Sequence, residues 1–299
     1  MNTTINEASK SLTEMLPNAS SRPIGLYEKA LPDLLPWEER LRQASAAGFS
    51  FVELSVDESE DRLARLYWTA AQRAELRQAV RNTGVPLLTI GLSAHRKYPL
   101  GSAAPETRAV ALDLLRRAIE LASDLGVRII QLMGYDVFYE PSDAGTAARF
   151  LEGLQQGVRW AESAGVMLGL ENVDLEFINS VAKALAIIAQ VDSPWLRVYP
   201  DIGNLVAAGY DPISQLRLAK GQIVGLHVKD ARPGEVRGVP FGGGQVPFEA
   251  VFGLLPELGF WGPLAVEMWA HLDPAGDPLK SAREACRFIS TSIERAGSR

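Results

Sequence analysis

The sequence predicts a closed barrel of eight parallel β-strands alternating with helices, an α/β fold of the (β/α)8 or TIM-barrel class. Three observations predict it. A helix-like segment, a glycine and a short apolar run recur in that order roughly every forty residues. The apolar runs are β-branched and nearly continuous, as expected of parallel strands buried on both faces. The length, 299 residues, suits one such barrel.

The glycines punctuate AAGFSFVEL at Gly48, NTGVPLLTI at Gly84, DLGVRIIQL at Gly126, SAGVMLGLE at Gly165, AKGQIVGLH at Gly221 and ELGFWGPLAVE at Gly259. A glycine just past a helix takes the left-handed conformation that closes the last turn. The eight strands are read as Ile24–Tyr27, Phe51–Val56, Leu87–Leu92, Ile129–Met133, Met167–Glu171, Leu196–Asp201, Ile223–Lys229 and Leu264–Met268. Helices are expected over Thr107–Leu125, Ala144–Ala164, Ser180–Gln190 and Pro278–Arg295. Pro36-Trp-Glu-Glu39 reads as a first helical turn, with proline early and acids at the positive end. An open doubly wound sheet is the alternative, but the first strand runs into GLYEKALPD, without the glycine fingerprint of dinucleotide binding. Residues 1–20, rich in Ser, Thr and Asn, read as a flexible extension and residues 21–299 as a single catalytic barrel.

Composition narrows the partners. The net charge is −6 and no basic stripe is present, so nucleic acid is not expected. Cys286 is the only cysteine, which rules out an internal disulfide and fits a cytoplasmic protein. No apolar run reaches about 18 residues, so no membrane span is expected. The first twenty residues also lack the charged start and apolar stretch of a signal peptide.

Barrels of this class do chemistry at the carboxyl ends of their strands. Glu171, Asp201, His227 and Glu267 each follow an apolar run directly, in LGLE, RVYPD, VGLH and PLAVE. They fall on four successive strands and so converge on one side of the mouth. Three carboxylates brought together repel one another unless a cation sits between them. One histidine and three acids suit a single divalent ion, manganese or magnesium first, with cobalt and zinc left open. A lone acid at a strand end is often only a cap or an ion-pair partner; four in register are harder to explain that way. With three histidines in all, the chain cannot supply the histidine-rich cluster of phosphodiester-cleaving barrels.

At these residues the sequence resembles the L-ribulose-5-phosphate (L-xylulose-5-phosphate) 3-epimerases, long described as hexulose-6-phosphate isomerases, of the xylose-isomerase-like barrel superfamily. The matching stretches are GLYEKALP, FVELSVDE, HRKYPLGS, MGYDVFYE, LENVD, YPDIGN, HVKDARPG, VPFGGG and VEMW, spread from Ile24 to about His271. The resemblance implies one divalent metal on Glu171, Asp201, His227 and Glu267. It also implies that Glu171 and Glu267 are the catalytic acid–base pair, on opposite faces of a pentulose phosphate, acting through an enediolate. Relatives acting on unphosphorylated ketoses carry a histidine three residues after the strand-6 aspartate. Here that position is Asn204, as in the phosphopentulose branch, which makes Asn204 a candidate substrate contact. Arg232 lies near the place of a second residue of those relatives, without an assignable role. The resemblance also suggests a homodimer.

For the phosphate, the candidates are Lys229, which shares a strand face with His227, and the backbone N–H groups of Gly243 and Gly244. His95, Arg96 and Lys97 in HRKYPLGS are candidates for substrate contact, and so are Lys229 and Glu53. Glu53 is equally placed to orient His227, since metal-bound histidines need such a partner. Asp230 alternates away from the mouth. Tyr27, Trp68, Tyr135 and Trp269 are candidate pocket aromatics. Aldose–ketose isomerisation, or dehydration of a polyol, would use the same ligands and is the alternative chemistry.

Overall fold

The computed structural model describes residues 22–298; the expected extension over 1–20 lies outside them. The strands are β1 (Ile24–Tyr27), β2 (Phe51–Val56), β3 (Leu87–Leu92), β4 (Ile129–Met133), β5 (Met167–Glu171), β6 (Leu196–Val198), β7 (Leu226–Val228) and β8 (Leu264–Val266). They pair in parallel in the order β6-β5-β4-β3-β2-β1-β8-β7. The ring closes between β6 and β7 through two parallel bridges, Val198 to Ile223 and Asp201 to His227. The protein is a (β/α)8 barrel.

The first five strands have the bounds that the apolar runs mark, and the last three are shorter. Pro200 has no N–H to continue the β6 ladder. The ring of Tyr199 lies against Gly225, where a Cβ would come within 2.3 Å of it, and the regular ladder resumes only at Leu226. Asp201, Lys229 and Glu267 therefore stand just beyond the ladders, with their side chains buried.

Eight helices of seven or more residues cover the described barrel: α1 (Trp37–Ala46), α2 (Ala70–Thr83), α3 (Pro105–Leu125), α4 (Ala144–Ala164), α5 (Val181–Val191), α6 (Pro212–Leu218), α7 (Phe248–Glu257) and α8 (Pro278–Gly297). Local chemistry sets their ends. Thr69 and Gln72 form a reciprocal capping box at the start of α2, as do Asp143 and Thr146 at α4. All six punctuating glycines have positive φ, from 65° at Gly165 to 101° at Gly48. A continuous apolar core lies between strands and helices, with Val52, Ile90, Leu132, Leu168 and Leu226 facing helix residues such as Leu76, Leu115 and Leu154. Each fully buried leucine contributes about 2 kcal/mol.

Tight packing extends to the functional end of the barrel. A Cβ on Gly134, just after β4, would come within 2.2 Å of the Glu171 carbonyl oxygen. We expect Gly134→Ala to lower stability by about 2 kcal/mol. Gly253 in α7 has only the Ala296 Cβ nearby, at 3.9 Å, so Gly253→Ala should raise stability by about 0.5 kcal/mol. Urea midpoints of the two variants check both signs.

Candidate metal centre

The upper layer of the barrel interior is polar. Glu53, Thr89, Gln131, Asp201 and His227 are fully buried there, so each polar atom needs a partner inside the protein. Glu53 on β2 is the hub. It accepts a hydrogen bond from His227 Nε2 at 2.6 Å through Oε1, and from the hydroxyls of Thr89 (2.6 Å) and Tyr199 (3.0 Å) through Oε2. This fixes the imidazole with Nε2 protonated and Nδ1 facing the neighbouring acids. Glu171 Oε1 lies 2.7 Å from His227 Nδ1, and its Oε2 accepts from Gln131 Nε2 at 2.5 Å. Tyr199 packs edge-on against the imidazole at 5.1 Å between ring centres, and Tyr27 at 6.2 Å.

Asp201 is held from the backbone side. Asn172, the residue after Glu171, accepts from the Asp201 N–H and donates to its carbonyl, both at 3.0 Å. Asp201 Oδ1 caps the short helix Ile202–Ala207 by accepting from the Asn204 N–H at 2.8 Å. The Asn204 amide in turn donates to the Asn172 carbonyl at 2.9 Å. LENVD and YPDIGN are thus two halves of one clasp.

The outcome is a buried trio. Glu171, Asp201 and His227 each present one ligand atom, and all three atoms lie within 4.8 Å of one another. Glu267, just after β8, faces them across Lys229, whose ammonium lies 2.8 Å from Asp201 Oδ2 and 2.7 Å from Glu267 Oε2. Asp201 Oδ2 is buried and accepts no hydrogen bond of good geometry. A carboxylate oxygen left in that state beside an imidazole and a second carboxylate fits a divalent cation.

The electrostatics agree. Burial pushes Glu171 up to about 7, against the pull of His227. Burial likewise raises Asp201, against the pull of Lys229. Burial would also raise Glu267, but Lys229 and His227 outweigh it and hold that carboxyl at about 2. The two glutamates are thus pushed in opposite directions by their surroundings. Burial alone would depress His227, yet Glu53 and Glu171 raise it well above the ordinary histidine range.

A polar cleft of about 60 Å3 opens over this cluster, walled by Glu171, Asn204, Lys229 and Glu267 with the aromatics Tyr27, Tyr135 and Trp269. Three further cations line it: Lys29 after β1, Arg96 after β3 and Arg237 after β7. Lys29 and Arg237 carry no periodic signal in the sequence: Lys29 lies in the single 3-10 turn Glu28–Ala30 and Arg237 in the long connection after β7. Their only signal was place: both follow a strand's carboxyl end. An apolar chamber of about 410 Å3 shares the walls Lys229, Arg237, Glu267 and Trp269.

The other expected contacts lie elsewhere. His95 is buried and donates from Nε2 to the Ala111 carbonyl at 3.1 Å, facing α3. Lys97 is exposed and lies over the ring of Tyr98. Glu53 meets His227, not the cleft. The Gly243 N–H is committed to the Pro240 carbonyl and the Gly244 N–H to Asp230, so neither is open to a phosphate. Trp68 packs edge-on against Trp37.

A family model described as the xylose isomerase-like TIM barrel matches residues 41–292. The chain belongs to the xylose isomerase-like TIM-barrel family. Within it, the chain is 45% identical to L-ribulose-5-phosphate 3-epimerase UlaE of Shigella flexneri, over 92% of this chain and 96% of that one. It is 44% identical to the protein of the same name from Escherichia coli strain SE11, over the same shares. Among solved structures, an L-ribulose 3-epimerase superposes with a TM-score of 0.77 at 20% identity, over 92% of this chain and 95% of that one. A D-psicose 3-epimerase crystallised with D-fructose superposes at 0.78 and 19% identity, over 92% and 99%. At such identities the superpositions speak to the barrel fold alone. No helix among the described residues is long and apolar enough to cross a membrane.

The buried His95 gives this family member a pH signature. Burial, against the hydrogen bond to Ala111, lowers its folded value to about 4 from an ordinary 6.5. The unfolded chain therefore takes up the proton first on acidification. The contribution is fully present above pH 6.5 and is lost as the pH falls towards 4, on the order of 3 kcal/mol. Unfolding free energies measured across that window should fall more steeply for the native chain than for His95→Gln.

Proposed function

We propose that this protein is a metal-dependent 3-epimerase interconverting L-ribulose 5-phosphate and L-xylulose 5-phosphate. Its enzyme class is isomerase, as for its curated relatives. The observation that carries the reading is the placement of two buried carboxyl groups, Glu171 on β5 and Glu267 beyond β8, with Asp201 and His227 on the two elements between them. Glu171, Asp201, His227 and Glu267 would hold one divalent ion, manganese, magnesium, cobalt or zinc. Bound there, such an ion supplies Lewis-acid polarisation of the ketose oxygens, worth several kcal/mol against a weakly acidic C–H bond.

The chain's own groups account for the rest. One of Glu171 and Glu267 takes the proton from carbon 3, and a positioned base of this kind contributes about 10²–10⁴ in rate. Loss of that proton leaves an enediolate that is flat at carbon 3. The other glutamate, approaching from a strand on the far side of Asp201 and His227, returns a proton to the opposite face and inverts the centre. The Lys229 ammonium, walled into the cleft, places positive charge beside the developing anion. Asn204 lines the same cleft and would present to a sugar hydroxyl what its hydrogen bond to the Asn172 carbonyl leaves free. Arg96 and Arg237 add positive charge around the substrate.

Among these three cations that follow the strands, Lys29 has the least exposed side chain, 18% against 27% for Arg96 and 39% for Arg237. Its charge is the least screened by solvent, and we assign it the main hold on the phosphate. Asp57 pairs with it in the free protein and is held at about 2; burial alone would raise it, and Lys29 outweighs that. The reading places the enzyme in the cytoplasm, where its buried thiol at Cys286 stays reduced.

Incubation of metal-loaded protein with L-ribulose 5-phosphate in heavy water tests the chemistry. We expect deuterium at carbon 3 together with L-xylulose 5-phosphate, and a loss of at least about 10³-fold in Glu171→Gln and Glu267→Gln. Exchange at carbon 1 in place of carbon 3 would move the assignment to an aldose–ketose isomerase. Lys29→Met should raise KM for the sugar phosphate about tenfold or more with kcat nearly unchanged, the mark of lost uniform binding. Glu53→Gln should weaken metal affinity by about 10–100-fold, as read by calorimetry.

A further inference from the structure

The glycine run of VPFGGGQ has a task that the phosphate does not explain. The loop from Ala231 to Pro247 connects β7 to α7 and contributes Arg237 to the polar cleft, and Arg237 through Phe241 to the wall of the apolar chamber. Apart from one antiparallel bridge between Arg232 and Glu235 it has no helix or strand, and an irregular segment this long needs another source of order. The source lies at its root. Asp230 is 2% exposed. Its Oδ1 accepts from the N–H groups of Ala231 at 2.9 Å and Val246 at 3.3 Å, and its Oδ2 from those of Gly242 and Gly244, both at 2.9 Å.

One carboxylate thus gathers four backbone donors from both ends of the loop. Hydrogen bonds to a carboxylate are about twice as strong as neutral ones, and more so when buried. The glycines are what permit the approach. Gly242 has a φ of 84°, and a Cβ on Gly244 would come within 2.0 Å of Asp230 Oδ1 and 2.5 Å of the Ala231 carbonyl. Arg232 braces the same ring from outside, donating from Nε and Nη2 to the Gly243 carbonyl at 2.9 and 2.6 Å. From this base the loop reaches across the mouth. Arg237 pairs with Asp174, after β5, at 3.2 Å and lies 5.7 Å from the Trp269 ring, after β8.

We infer that Asp230 is a positioning residue that clasps the Ala231–Pro247 loop and thereby fixes Arg237 at the substrate cleft. The inference rests on the reading above that this cleft binds the sugar phosphate. Asp230 itself meets no substrate; its effect passes through the loop.

Two variants approach the clasp from opposite sides. Asp230→Asn keeps one acceptor oxygen and replaces the other with a donor, so about half the clasp is lost. Gly244→Ala drives a methyl into the carboxylate. In the metal-loaded enzyme we expect both to speed amide exchange of the loop at least tenfold, while α1–α5 exchange as in the native chain. Both should raise KM for the sugar phosphate about tenfold with kcat changed less than about threefold. Combined with Arg237→Ala, Asp230→Asn should add little further to KM, because the two act through one contact. Unchanged loop exchange in Asp230→Asn would overturn the inference. So would a loosened loop with native KM, in an enzyme whose KM is raised by Arg237→Ala. A native KM for Arg237→Ala would instead sink the substrate role of Arg237, and loop exchange alone would then decide whether Asp230 holds the loop.

Discussion

The structure turns on an excess of buried acid at the carboxyl end of the barrel. Glu53, Glu171, Asp201 and Glu267 crowd around one imidazole and one ammonium, those of His227 and Lys229. Even with both bases protonated, the carboxyl groups outnumber them by two. Uncompensated charge of this kind is costly in a low-dielectric interior. The barrel supports it because every neighbouring group is oriented to it: Gln131 on Glu171, Thr89 and Tyr199 on Glu53, Asn172 on the backbone of Asp201. A divalent cation would complete the balance, and the proposed acid–base chemistry would use the two glutamates on either side of it.

Strand alternation brings this set together. Lys229 lies two residues after His227, and Glu267 two after Ala265, which pairs with His227, so both keep the inward face of their strands beyond the last ladder pair. Asp201 bridges His227 directly. The helix N-terminus at Ile202 then takes Asp201 as its cap, and Asn172 locks the backbone between them. Substitutions at Asn172 or Asn204 would therefore disturb the setting of Asp201 before they touch the core.

Much of this was legible in the sequence. Period, glycine punctuation and β-branched runs specify the barrel, since only parallel strands covered by helices combine all three. Glu171, Asp201, His227 and Glu267 could be picked out because each closes an apolar run, and the rule that barrels work at strand ends supplied the rest. The pairing of Glu53 with His227 was also in reach, as one of two roles open to a strand-end acid. Loops gave less. The inward face of Lys229 follows from alternation with His227, but its reach to both Asp201 and Glu267 depends on three strand ends that no single run of sequence brings together. Gly243 and Gly244 look like an anion-binding loop, and they do surround an anion, the chain's own Asp230. Composition cannot tell an internal carboxylate from an external phosphate. Lys29 and Arg237 carry no periodic signal, and His95 turns into α3 because a short 3-10 turn after β3 rotates it there.

The central claim is that the buried cluster is a metal site on which carbon-3 chemistry depends. The most direct test is a titration of chelator-stripped protein with manganese, following bound ion by paramagnetic resonance and carbon-3 exchange in the same samples. The account predicts saturation at one ion per chain, exchange rising in proportion to occupancy, and loss of both in Asp201→Asn. Full exchange in the stripped protein, or ion binding that leaves exchange unchanged, would contradict it.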